Sequence, residues 1–233
     1  MSERRKQLLQ MAAGAAFLVA AVVLVLIVVN ASSGGDGGDT ELEGAAEVNR
    51  HLQGIPQREL VLGDANAPVE LLEFGDLQCP FCKGVSEEVL PSVIDGVVKS
   101  GDARLIFRNF TIIGQESVDA GAAAVAAGKQ GRGWSFVEIF YRNQGRENGG
   151  FVTDEFLEAV AEAAGVENLD RWNEERKSQA TLKEVKAQTE EAQQLGLGGT
   201  PTFVIKGPNT DGLEVLGTPE SPGQLEAAIE AAS

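Results

Sequence analysis

The two cysteines of this chain, Cys79 and Cys82, are separated only by Pro80 and Phe81, and they stand where an apolar strand gives way to a helix: VELLEFGDLQCPFCKGVSEEVL. That placement constrains the chain more than any other feature. A thiol at a helix N-terminus faces unpaired N–H groups and the positive end of the dipole, and both favour thiolate over thiol. Pro80 suits the first helical turn, where a missing N–H costs nothing. The spacing puts Cys79 at the exposed helix end and Cys82 a turn inward. The first sulfur then attacks a partner disulfide or is attacked within one, and the second resolves the mixed disulfide. A static disulfide is the bland alternative, but a loop of two residues gains little closure entropy. Half a zinc knuckle is another, but no second Cys/His pair exists to complete it, and His51 is the lone histidine.

The 233 residues carry 19 Lys and Arg against 35 Asp and Glu, a formal net charge of −16. Such a balance argues against nucleic acid as a partner, because a phosphate backbone needs a basic surface. Acidic pairs such as Glu87-Glu88, Glu174-Glu175 and Glu190-Glu191 read as solvated helix faces. With 43% hydrophobic residues the chain is globular in composition. Its apolar content is concentrated at Met11–Val29, an uncharged run of about 28 Å as a helix, close to a bilayer's hydrocarbon thickness of about 30 Å. Arg4, Arg5 and Lys6 precede the run, and no Lys or Arg follows it until Arg50. The positive-inside rule therefore predicts residues 1–10 in the cytoplasm, a transmembrane anchor over 11–29 and the remainder outside. A cleaved signal peptide competes with this reading, although the run is longer than the usual apolar core of such a peptide. Residues 30–56, opening with Gly, Ser and Asp, are expected to be a flexible linker, with His51 a solvated member of it.

The globular domain is expected over 57–233. Periodicity and punctuation suggest a short strand at Glu59–Leu62 and buried strands at Val69–Phe74 and Arg104–Phe110. A helix over Cys82–Lys99, kinked at Pro91, lies between the two buried strands. A helical region follows from about Glu116 to Leu195. In it Phe156, Leu157, Val160, Ala161 and Ala164 share a face between a Thr153 cap and a Gly165 stop. Leu182, Val185, Ala192 and Leu195 form a second stripe, and Trp134, Phe136, Phe140 and Tyr141 read as helix packing. Strands return at Thr202–Lys206 and Leu213–Leu216, and a helix closes the chain from about Pro222. The order fits an α/β fold, a mixed sheet with helices around it.

A second element of the site is Gly198-Gly199-Thr200-Pro201-Thr202-Phe203. A proline just before a strand marks a tight turn, and X-Pro is the bond able to be cis; an ordinary trans turn is the alternative. With the upstream Cys-x-x-Cys, the domain resembles the thioredoxin superfamily, in which a cis-proline loop faces the cysteine helix and offers backbone to an extended substrate. The resemblance implies that role for Thr200-Pro201. GDANAPVELLEFGDLQCPFCK and GGTPTFVIKG are more closely similar to the DsbA family of disulfide oxidoreductases, over roughly Gly63 to Ser233. Pro201 follows Cys82 by 119 residues, far more than a minimal thioredoxin fold needs. DsbA-like proteins fill this gap with an inserted helical domain, which places the insertion at about 116–195. Where that family often has Cys-Pro-His-Cys, this chain has Phe81, which cannot stabilise a thiolate as a histidine can.

The resemblance further implies that Glu73, six residues before Cys79, is a buried acid moving a proton to or from Cys82. A carboxyl buried on an apolar strand has a raised pKa, which suits that task; a solvated strand face beside Glu70 is the other reading. The implied activity is extracytoplasmic thiol–disulfide exchange that introduces disulfides into unfolded or newly exported proteins. Cys79 is then the nucleophile, Cys82 the resolving thiol, and a DsbB-like or vitamin K epoxide reductase-like membrane protein reoxidises the pair. No metal or nucleotide is needed, because Cys79–Cys82 is itself the redox centre. A reductase or isomerase on the same fold, or an anchored module that holds clients without turnover, are the rivals.

Overall fold

Two apolar runs separated by one helical crossover build the centre of the molecule. They are β3 (Val69–Gly75) and β4 (Ala103–Asn109), paired in parallel with Leu71 opposite Leu105 and Glu73 opposite Phe107. In this computed structural model, which describes residues 42–233, four further strands complete the sheet. β5 (Thr202–Lys206) lies antiparallel to β3, and β6 (Glu214–Gly217) antiparallel to β5. On the other side β2 (Val61–Leu62) joins β4, and β1 (Gln57–Arg58) joins β2. The order is β1-β2-β4-β3-β5-β6. The expected strand at 59–62 is thus two short strands, because Glu59 turns the chain with φ +53°. β3 and β4 are covered on both faces, the usual state of parallel strands between helices.

Side chains alternate along β3 and so sort into two cores. Leu71 faces the larger one with Phe107 and Phe203, while Leu72 and Phe74 face the smaller one with Ile106, Ala192 and Val204. By the same period Glu73 points with Leu71, toward the face that also holds both cysteines.

The crossover is less regular than the single helix expected over Cys82–Lys99. It comprises α2 (Pro80–Glu88), α3 (Leu90–Val93) and a π-turn over Ile94–Val98. Pro91 cannot donate to the carbonyl of Glu87, and its ring clashes there, so the helix breaks at Val89. Between β4 and β5 lie α4 (Gln115–Gly128), α5 (Gly133–Arg142), α6 (Asp154–Ala163), α7 (Leu169–Arg176) and α8 (Gln179–Gln194). Thr153 Oγ1 caps α6 by accepting from Phe156 N at 3.1 Å, and Gly165 closes that segment with φ +81°. α9 (Pro222–Ala232) ends the chain.

The linker expected over 30–56 is corrected at its C-terminal end. Residues Ala45–His51 form a helix, α1, which packs on α5. Its spacing explains this: Val48 and Leu52, one turn apart, are both buried against the domain. His51 is not a solvated linker residue, since its Nε2 lies 3.2 Å from Asp95 Oδ1. The apolar run Met11–Val29 lies outside the described residues, and among the described residues no helix is long and apolar enough to cross a membrane.

Candidate active site

β3 ends in Gly75-Asp76, and the chain must turn from strand to helix within four residues. Gly75 allows this by its size: a Cβ there would sit 2.7 Å from a ring carbon of Phe107 and 3.1 Å from the Tyr141 hydroxyl. Asp76, fully buried, then organises the turn. Its Oδ1 accepts from Gln78 N at 2.9 Å, its backbone carbonyl accepts from Cys79 N at 2.9 Å, and its Oδ2 accepts from Ile112 N and Ile113 N. The helical insertion grips the same turn from the other side. Gln144 Nε2 donates to the carbonyls of Leu77 and Cys79, at 2.7 and 3.2 Å, while Gln78 Nε2 donates to Ser117 Oγ and Gln78 Oε1 accepts from Asn148 N.

Cys79 is the N-cap of α2, in extended backbone, with Pro80 at the first helical position and Lys83 N donating to the Cys79 carbonyl. The expectation of an exposed sulfur needs adjustment. Cys79 is only 5% exposed and Cys82 is fully buried, while Phe81 between them is 72% exposed. The covering segment is the turn before β5. Thr200-Pro201 is a cis peptide, and the Thr200 carbonyl lies 3.4 Å from Cys79 Sγ. Thr202 Oγ1 and Thr218 Oγ1 donate to the Gly199 and Pro201 carbonyls and hold that loop. Cys79, Cys82, Pro80, Phe81, Thr200 and Pro201 are therefore brought to one end of the sheet, with Glu73 beneath them.

The two sulfurs, free thiols in the structure, have opposite electrostatic characters. The Cys79 thiol is lowered from 9.0 to about 6. The largest cause is a hydrogen bond from the Cys82 thiol; burial opposes it, and the Thr200 hydroxyl and the N–H groups of Phe81 and Cys82 add to it. Thr200 acts in both senses, because its carbonyl accepts from the protonated sulfur whereas its hydroxyl favours the thiolate. The helix-start amides thus contribute as the sequence implies, yet the neighbouring thiol does more. Cys82 moves the other way, pushed well above its usual value by burial, by its hydrogen bond to Cys79 and by the nearby Glu73 carboxyl.

Glu73 is 1% exposed, and neither of its oxygens has a hydrogen-bond partner among the described residues. Burial raises its carboxyl well above the usual range, and the charges of Glu138 and Cys79 raise it further. The solvated alternative applies instead to Glu70, on the opposite face, which pairs with Arg104. Asp76, Gln78, Tyr141 and Gln144 complete the site and escape sequence reasoning. Gly75-Asp76 before a helix is a turn signal for the first of them. Nothing local marks Tyr141 or Gln144, which reach the turn from more than 60 residues away.

Comparisons with known proteins agree with this arrangement. A family model described as "Thioredoxin" matches residues 56–231. A relative named "Probable disulfide bond formation protein D" from Bacillus cereus is 30% identical over 149 residues, covering 63% of this chain and 69% of that one. A Na(+)/H(+) antiporter NhaA 1 of Mycolicibacterium gilvum is 32% identical over 157 residues, but these are 65% of this chain and only 24% of the antiporter. Among solved structures, oxidised BdbD of Bacillus subtilis superposes with a TM-score of 0.65 at 22% identity, covering 76% of this chain and 96% of that one, which establishes a shared fold. The chain belongs to the thioredoxin family and, within it, to the DsbA-like protein disulfide oxidoreductases.

Proposed function

We propose that the protein introduces disulfide bonds into exported, cysteine-containing proteins from a membrane-anchored, extracytoplasmic position, using Cys79–Cys82 as its only redox centre. The observation that carries this reading is the asymmetry of the two sulfurs. With a pKa of about 6, Cys79 is roughly nine-tenths thiolate at neutral pH, where an unperturbed thiol is only a few per cent ionised. A stabilised Cys79 thiolate stabilises the reduced pair, and so makes the disulfide form the better oxidant.

The geometry supports the following steps. A client thiolate attacks Cys79 Sγ of the Cys79–Cys82 disulfide, and Cys82 leaves as a thiolate. Its raised pKa demands a proton, which Glu73, buried beneath it, is placed to supply. A second client thiolate then attacks the client's own sulfur in the mixed disulfide. Cys79 departs as a low-pKa leaving group, and the client keeps the new disulfide. The cis Thr200-Pro201 loop, with a backbone carbonyl 3.4 Å from Cys79 Sγ, supports a role in presenting backbone to an extended client segment. Exposed Phe81 and Ile112, beside the sulfur and on the loop that Asp76 holds, offer apolar surface to an unfolded client. The two electrons collected then pass to a membrane partner of the DsbB or vitamin K epoxide reductase type, in keeping with the apolar run Met11–Val29.

The direction of electron flow is tested by equilibrating the full chain with glutathione buffers. A potential well above the value of about −270 mV typical of thioredoxin supports the oxidase, and a value at or below it supports the reductase. Oxidation of a reduced client by the full chain, lost in Cys79→Ser, separates either enzyme from a module that only holds clients.

A further inference from the structure

The redox site has more buried carboxyl than its chemistry so far uses. Behind Cys82, four polar groups have buried atoms with no hydrogen-bond partner among the described residues: both oxygens of Glu73, Oγ of Ser86, Oε1 of Glu138 and Nε of Arg142. Glu73, Ser86 and Glu138 are 1%, 1% and 5% exposed. Buried polar atoms are normally satisfied, so such a concentration calls for a cause.

Helical spacing turns these groups toward one another. Ser86 is one turn after Cys82 on α2, hence on the same face. α5 packs against α2. On α5, Trp134, Glu138 and Tyr141 share one face, and the two aromatic rings pack on Phe107 of β4. The opposite face, with Phe136 and Phe140, meets only rings from the insertion: Phe151, Phe156 and Trp172. Glu138 therefore points to the sheet side, and Arg142, one turn further on, reaches the surface to pair with Glu47 of α1. Lys83 of α2 donates to the Arg142 carbonyl and pairs with Glu87.

We propose that Glu138 is a second proton carrier of the redox site, passing protons between Glu73 and the surface beside Arg142, with the Ser86 hydroxyl between the two carboxyls. This rests on the reading of Glu73 given above and extends it. A protonated Glu73 cannot accept the proton of Cys82 until it has lost its own, and full burial leaves it no solvent to lose it to. Glu138 is the base in position. Burial lifts its carboxyl to about 7, against a weak hydrogen bond from Ser86, too poorly aligned to satisfy that hydroxyl fully, and the charge of Arg142, with a further push from Glu87, so both of its forms are populated near neutrality. Its charge also acts directly on Glu73. Two neighbouring buried carboxyls resist double ionisation, so the loss of one proton favours retention of the other. Glu138 touches neither sulfur and acts only through Glu73.

The test uses the full chain in detergent, reduced and mixed with a small aromatic disulfide. Cys79 thiolate attacks it and expels one aromatic thiolate. Cys82, deprotonated through Glu73, then attacks Cys79 Sγ and expels the second. Both releases are timed across the neutral pH range. In Glu138→Gln the second release is expected to slow about tenfold and to lose the limb of its pH profile near neutrality, while the first release is unchanged; Glu138→Asp restores the limb in part. A second release in Glu138→Gln that overlays the unsubstituted chain at every pH overturns the proposal. So does an equal slowing of both releases with the limb unmoved, which marks a structural effect. Glu73→Gln separates the levels. If it slows the second release while Glu138→Gln does not, only the relay fails; if it has no effect, the reading of Glu73 fails as well.

Discussion

The body of the helical insertion and the ground beneath Cys82, to which α5 contributes Glu138, treat most of their buried polar groups differently. In the insertion, Trp172 Nε1 donates to the Ala123 carbonyl at 3.0 Å, Gln188 Oε1 accepts from both nitrogens of Asn109, and Thr181 Oγ1 accepts from Lys129 at 2.7 Å. Beneath Cys82, Glu73, Ser86 and Glu138 have atoms that find no partner. An unsatisfied buried group costs about 1–3 kcal/mol, so the first region is arranged for stability and the second tolerates a loss of it. Among the described residues unpartnered buried atoms also occur at Arg108, Glu175 and Arg176, but the largest group of them lies beneath Cys82. A carboxyl such as Glu73, with both oxygens unpartnered, is not locked by hydrogen bonds into one protonation state.

Substitutions in the two regions should therefore separate activity from stability. Cys79→Ser is expected to remove client oxidation by more than about a thousandfold, because Cys82 alone has no partner with which to form the oxidising disulfide, with thermal unfolding little changed. Trp172→Ala does the reverse. Loss of a fully buried ring, of its contact with Phe136 and of its hydrogen bond should cost about 3–5 kcal/mol in denaturant unfolding, with the activity of the folded fraction retained. Glu73→Gln should slow resolution by Cys82 by up to about a hundredfold in single-turnover mixing.

The pH dependence of stability sharpens the contrast. The Glu138 pKa is about 7 in the folded protein, above the ordinary value of 4.5, so its favourable contribution is complete below 4.5 and lost as pH rises through 7. Glu138→Gln removes that loss. The variant should match the unsubstituted chain in acid and exceed it by about 3 kcal/mol above neutrality, as read from urea midpoints at several pH values. The smallest effect belongs to the insertion: Thr153→Ala, which deletes the α6 cap, should cost about 1 kcal/mol with no pH signature.

What the sequence revealed of this molecule was local in origin. Val69–Gly75, the helix opening at Cys79, the Thr153 cap and the Gly165 stop are each encoded within a few residues, by period or by turn chemistry. Features that depend on distant partners were not legible. Val48 and Leu52 order α1 only because α5 offers them a surface, and the Gly- and Asp-rich stretch before them masks the pattern. Glu138 was submerged in a run, WSFVEIFY, that reads as packing, although a lone carboxylate amid so many apolar residues was itself the signal. The exposure expected of Cys79 failed for the same reason, since the loop that covers it is about 120 residues downstream.

The most direct test is titration of Cys79 in the reduced full chain, by alkylation rate or thiolate absorbance, with Cys82→Ala and Thr200→Val alongside. The account requires a pKa of about 6, rising in both variants and most in Cys82→Ala, because the Cys82 thiol is the largest cause of the shift. A value near 9, or one indifferent to the loss of Cys82, would contradict it.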